Sequence, residues 1–285
     1  MGVRSLPIRM TTWVVEKVLM AKSKTKSDKK PEKSSLRDAS PEQMAALAWQ
    51  AFGEEHFDEA EQLCERLVAI VPGHAHSWYL RGLVAAAQGR GEQALSYWEW
   101  VKNAPDLLPP LAQGRGRVLL SLGRIEEALV QFQGAMTYQP DDATNYFFMG
   151  LASLQQGALK DAQRYFRQAS VLDPKLAPAH YELGVLALHA EQYSQALIAF
   201  KAAVELTPQS PEVANNLALA YQALGDATAA ESWFRKAVDL KDDYAEAWLN
   251  FGLLLRAQGS KKADACINKA LKLKPSLQGV LSGNE

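Results

Sequence analysis

Apolar and polar positions recur with a period of about 34 residues over most of the chain. Counted from Pro41, units begin at 41, 75, 109, 143, 177, 211 and 245 without a gap, and only the last loses a residue, near Gly259 and Ser260. Within a unit the apolar residues fall at positions 4, 7/8 and 11 of the first half and at 20, 24 and 27/28 of the second. Steps of three and four residues place side chains on one face of a helix, so each unit predicts a pair of amphipathic helices. Gly89, Gly123, Gly157, Gly225 and Gly259 supply the turn between the two. Pro72, Pro140, Pro174, Pro208 and Pro275 at position 32 end the second helix, because proline has no N–H and disfavours helix in the residue before it.

Three columns say how the pairs pack. Position 8 is always small: Ala48, Gly82, Gly116, Gly150, Gly184, Ala218 and Gly252. Position 20 reads Ala60, Ala94, Ala128, Ala162, Ala196 and Ala230, with Ala263 after the deletion. Position 24 is mostly large: Cys64, Trp98, Phe132, Phe166, Phe200, Phe234 and Ile267. Helices that cross closely need small side chains at the crossing and a large one to fill the space beside it. A lone hairpin cannot bury its own apolar stripe, whereas stacked neighbours form a continuous core. The expected architecture is therefore all-α, an elongated solenoid, and not the one or two globular domains that length alone suggests.

These residues resemble the tetratricopeptide repeat (TPR), a helix–turn–helix unit with small residues at positions 8 and 20, an aromatic at 24 and proline at 32. The resemblance covers residues 41–276 in seven units, at 41–74, 75–108, 109–142, 143–176, 177–210, 211–244 and 245–277, between a basic tail (1–40) and a short C-terminal tail (278–285). Departures are local: Arg81 and Arg115 stand at position 7, Leu67 and Val101 at position 27, and Asp106 and Asp242 at position 32. The resemblance implies a right-handed superhelix whose first helices line a concave groove, with positions 2, 5, 6, 9, 12 and 13 facing it. On that basis the partner-binding residues are Trp49, Tyr79, Leu83, Arg117, Phe147, Phe148, Leu151, Tyr181, Val185, Asn216 and Asn250. Tyr146, at position 4, is expected in the core, with Phe147 and Phe148 turned to the groove. The Lys and Asn set with which some TPR proteins clamp an acidic chain end is missing. Asn216 and Asn250 at position 6 are similar to the asparagine ladder of O-linked N-acetylglucosamine transferases, which implies contacts to the main chain of an extended peptide.

Charge is unevenly spread. Residues 1–40 hold ten Lys and Arg against four Asp and Glu, and the rest hold 21 against 28, so a tail of +6 precedes a body of −7. The tail's apolar stretch, Trp13 to Met20, is broken by Glu16 and Lys17 and is too short to span a bilayer. The Lys-rich residues 22–33 read as a solvated, disordered arm, and Met20 reads as an alternative start. An acidic body repels phosphate, which argues against nucleic acid as the main partner. Membrane contact is expected to be peripheral if it occurs.

No catalytic or metal-binding constellation is found. Cys64 and Cys266 read as two buried, reduced thiols. His56, His74, His76, His180 and His189 form no ligand set, and "GRGEQ" and "QGRGR" lack phosphate-loop spacing. The expectation is a cytoplasmic, non-enzymatic scaffold or assembly factor without cofactors, binding a protein or peptide segment. The alternatives are a membrane-associated assembly helper that uses the tail, or the substrate-selecting subunit of a glycosyltransferase. Only ten residues follow Pro275, so the array is expected to end uncapped, with either self-association or docking to a partner through that end.

Overall fold

A computed structural model of the protein describes residues 39–282; the readings on the tail, including Met20, lie outside them. Among the described residues every regular element is helical. They divide into two packed units, 39–158 and 159–282.

The N-terminal unit runs α1 (Pro41–Gly53), α2 (Phe57–Ile70), α3 (Ala75–Ala87), α4 (Gly91–Trp98), α5 (Leu108–Ser121), α6 (Ile125–Tyr138) and α7 (Ala143–Gln155). The C-terminal unit runs α8 (Leu159–Leu172), α9 (Ala177–His189), α10 (Tyr193–Leu206), α11 (Pro211–Ala223), α12 (Ala227–Leu240), α13 (Ala245–Ala257), α14 (Ala263–Leu273) and α15 (Gln278–Ser282). Helix starts follow local chemistry. Ser40 and Gln43 close a capping box on α1, and Asp142, Ser210 and Asp226 accept backbone N–H groups at the starts of α7, α11 and α12.

The turn after each first helix repeats one geometry. Glu55, Gly89, Gly123, Gly157, Glu191, Gly225 and Gly259 occupy the same place in successive units, and all have φ between 58° and 85°. In each, the left-handed residue's N–H meets the carbonyl three residues back, and the next N–H meets the carbonyl five back, as in His56 to Ala51 and Gln192 to Ala187. These are Schellman ends. Glutamate replaces glycine at two of the seven and must bear the left-handed backbone that glycine adopts freely.

Within a hairpin the small and large columns meet. A Cβ on Gly82 would lie 2.0 Å from the Trp98 ring, one on Gly116 2.5 Å from Phe132, one on Gly184 2.6 Å from Phe200 and one on Gly252 2.6 Å from Ile267. Where position 8 is Ala48, position 24 is the smaller Cys64. Both cysteines are free and buried, and burial pushes the Cys64 thiol up to about 12.

Position 4 does more than pack. Trp78 donates from Nε1 to the Pro72 carbonyl (2.8 Å), Trp248 to that of Asp242 (2.9 Å), and His180 places Nε2 3.0 Å from that of Pro174. Each of these rings ties a first helix to position 32 of the turn before it.

The departures at position 7 acquire a reason. Helix α4 is only 8 residues long and ends at Trp98, ahead of the left-handed Asn103 (φ 55°) and of Pro105, Pro109 and Pro110. At that end the Trp98 carbonyl accepts from the Val101 N–H (3.2 Å) and also from Arg115 (2.7 Å). Arg81 lies between the Trp78 and Tyr97 rings and pairs with Glu65 (3.0 Å).

The C-terminal end corrects an expectation. Residues 275–277 form a 3₁₀ turn and 278–282 a short helix, and Leu277 and Leu281 pack against Leu249, Ile267 and Ala270. Four-residue spacing puts both leucines on one side of the segment, so ten residues suffice to cover the last hairpin. A short helix thus follows the last hairpin where none was expected, although Leu273 beside it stays 41% exposed.

Candidate functional site

In the N-terminal unit the first helices α1, α3, α5 and α7 lie side by side. Trp49 on α1 is 38% exposed and stands 6.3 Å from Tyr79 on α3, which stacks on Trp98 at 6.4 Å. Burial pushes the Tyr79 hydroxyl up to about 12, against the pull of Arg117. Leu83 is partly buried between two apolar clusters. Arg117 on α5 sets its guanidinium 5.1 Å over the Phe148 ring of α7. Burial lowers the Arg117 pKa to about 10, and its Nη2 is shut away without an acceptor.

Phe147 and Phe148 do not face a groove. They are 0% and 2% exposed, and Leu151 is 3% exposed. Phe148 stacks flat on Phe132 of α6, with centroids 5.6 Å and planes 9° apart, and Phe147 meets it edge-on at 5.6 Å. Closely stacked hairpins leave room at positions 5 and 6 for large rings to go inward. Tyr146, expected in the core, is partly exposed instead. Tyr79 is also nearly buried, at 8% exposure. Of the expected groove residues in this unit, Trp49, Leu83 and Arg117 remain accessible.

The C-terminal unit presents a polar face. Asn250 on α13 donates from Nδ2 to Asn215 Oδ1 (3.0 Å), Asn215 donates to Asn216 Oδ1 (3.1 Å), and Asn216 donates to the Tyr181 hydroxyl on α9 (3.1 Å). All bonds run in one direction across three first helices. Asn250 Oδ1 has no donor among the described residues, and Asn216, Asn250, Val185, Leu219 and Leu253 remain partly exposed. Burial and the neighbouring Glu182 push the Tyr181 hydroxyl far up. Glu182, 6% exposed, has no cation beside it, and burial alone raises its carboxyl to about 7. Asn215 and Glu182 were not among the expected site residues. The adjacent Asn215-Asn216 pair at positions 5 and 6 was the visible signal for the first, whereas nothing in the sequence marks the burial of the second.

A cleft of about 340 Å³ lies elsewhere in this unit, between Gln163 and Arg167 of α8, His180 and Leu183 of α9, and Ile198 of α10. It includes none of the expected groove residues. Among the described residues no group of three His, Cys, Asp or Glu side chains is placed to hold a metal ion, and no helix is long and apolar enough to cross a membrane.

The family description tetratricopeptide repeat matches residues 45–107, 114–177, 149–211 and 181–245, and again 245–277. The chain belongs to the TPR family. Solved structures agree with this TPR fold. MamA from Desulfovibrio magneticus RS-1 is 25% identical, with TM-score 0.54 over 59% of this chain and 96% of that one. YrrB, described as a TPR protein with an unusual peptide-binding site, is 23% identical, with TM-score 0.54 over 61% of this chain and 90% of its own. PilW, described as a widely conserved type IV pilus biogenesis factor, is 19% identical, with TM-score 0.64 over 75% of this chain and 98% of its own. At identities as low as those of YrrB and PilW, such likeness speaks for the fold alone. No curated protein sequence matches the chain.

Proposed function

We propose that the chain is a non-catalytic scaffold or assembly factor that holds a segment of another protein against its first helices. The observation that carries this reading is the amide chain Asn250–Asn215–Asn216–Tyr181. A side-chain amide offers both a donor and an acceptor, which is what a peptide main chain requires. The four groups already hold one another in place, so little ordering entropy is lost when a segment docks. Val185, Leu219 and Leu253 place apolar surface beside the amides for the segment's side chains. The description of YrrB as a peptide-binding TPR protein supports the same reading by analogy.

A random peptide library displayed on phage and selected on the full chain tests it. The wild-type chain is expected to enrich a defined set of sequences. The Asn216→Ala/Asn250→Ala variant is expected to lose that set while its melting temperature stays within a few degrees of wild type. Failure of the wild-type chain to enrich any peptide, or an unchanged set with the double variant, overturns the reading.

A further inference from the structure

Arg117 is set apart from the other arginines of its unit. Arg81 pairs with Glu65, Arg90 with Glu61, Arg124 with Glu92 and Glu127, and Arg115 is spent on the Trp98 carbonyl. Arg117 makes no hydrogen bond or ion pair among the described residues, and its Nη2 is closed off without an acceptor. Among the described residues the titrating group that acts on it is the Tyr79 hydroxyl. Gln113, four residues earlier on α5, donates to Asp142 Oδ2 (2.8 Å), and Asp142 also caps the Thr144 N–H; neither bonds Arg117. The chain therefore carries a guanidinium that is partly withdrawn from water, laid on an aromatic ring, and left without a counter-charge among the described residues. Such an arrangement costs stability unless something neutralises it.

What would neutralise it is constrained by its surroundings. The body carries an excess of seven negative charges, which repels a polyanion while tolerating a single carboxylate. Toward α3 and α1 the accessible surface carries apolar groups, Leu83 and the 38% exposed indole of Trp49, while Gln113 and Asp142 are partly exposed on α5 and at the start of α7. Arg117 sits on α5 with first helices on either side of it, α3 and α7, so a chain laid along them has residues both before and after the charge.

Resting on the reading that first helices hold a protein segment, we infer that Arg117 anchors one acidic side chain, Asp or Glu, of a segment lying along the first helices of the N-terminal unit, with an adjoining apolar residue set against Trp49. Nη2 is closed off, so the carboxylate is met through Nε or Nη1, each able to donate a charge-assisted hydrogen bond.

The test uses the same display library, fused through its C-terminus so that no peptide has a free terminal carboxylate, with the full wild-type chain and Arg117→Met as baits. Wild type is expected to enrich sequences with Asp or Glu at a fixed distance from an aromatic or aliphatic residue, and Arg117→Met to lose the acid from that pattern. A selected peptide remade with its acid as the amide is expected to bind wild type about tenfold more weakly and Arg117→Met no more weakly. Acid preference that persists with Arg117→Met, or an amide exchange that costs both baits equally, overturns the inference. Enrichment without any acid overturns it too, yet leaves segment binding standing; no enrichment at all removes segment binding itself. Synthetic peptides compared as free acid and C-terminal amide separate the remaining source, since binding only by the free acid would assign Arg117 to a chain end. If Arg117→Met does not fold, the amide exchange on wild type decides alone, and a change under about threefold overturns the inference.

Discussion

The rings of Phe132 and Phe148 lie flat on one another, centroids 5.6 Å and planes 9° apart, although the two residues sit on helices of successive hairpins. This stack, with Phe147 against its edge, joins α6 to α7 from the inside. Phe148→Ala is expected to cost about 3–5 kcal/mol, the range for a fully buried phenylalanine. Denaturant unfolding followed by circular dichroism should show the loss. Phe147→Ala should behave the same way, and a variant of either that keeps its stability would put the ring back on the surface.

The Gly184–Phe200 contact gives a second expectation. A Cβ at Gly184 falls 2.6 Å from the ring, so Gly184→Ala forces the ring to move and should cost about 1–3 kcal/mol. Shrinking the ring relieves the clash. The Gly184→Ala/Phe200→Leu double variant should therefore lose less than the sum of its single changes, measured as a coupling energy in a double-mutant cycle.

Glu55 and Glu191 hold a left-handed backbone at φ 61° and 58°, where five sibling turns use glycine. Glu55→Gly and Glu191→Gly should each raise stability by about 0.5–1 kcal/mol, the relief of backbone strain exceeding the extra freedom of the unfolded chain. Thermal melts of the single and double variants would check it. A fall in melting temperature would mean that these side chains have other work.

Glu182 should make stability depend on pH. Burial raises its folded pKa to about 7, above the ordinary carboxylate value of 4.5. Between those values the unfolded chain loses the proton that the folded chain keeps, so stability is full below about 4.5 and falls as pH rises through about 7. Glu182→Gln removes this slope. The variant is expected to match wild type near pH 4.5 and to exceed it by roughly 1–3 kcal/mol at pH 8, read from denaturation midpoints across the range.

How far the sequence foretold this structure depends on what kind of rule each residue obeys. Helix pairs, turns and the small column at position 8 were legible, because the period repeats one steric demand at Gly82, Gly116, Gly184 and Gly252. The orientation of single aromatics was not. Phe147 and Phe148 sit at positions that face the groove in the family pattern, yet they turn inward because Phe132 offers a flat partner, a three-dimensional fact with no signature in spacing. The C-terminal cover was missed because ten residues looked too few, while Leu277 and Leu281 needed only one short turn and one short helix. Arg117 was visible as the main charge among apolar neighbours; its lack of a hydrogen bond or ion pair among the described residues was not.

The small-and-large contacts have a consequence for how such a chain can change over generations. Gly82 with Trp98, Gly116 with Phe132, Gly184 with Phe200 and Gly252 with Ile267 each lie inside one hairpin, one member on either helix. Copying or deleting a whole repeat carries both members of a pair together and leaves the fit intact. A crossover in the turn between the two helices, where Gly89 or Gly123 sits, would join one block's glycine to another block's partner and require it to fit anew. Growth by whole blocks is therefore the easy route for this architecture, and exchange of half-blocks the obstructed one.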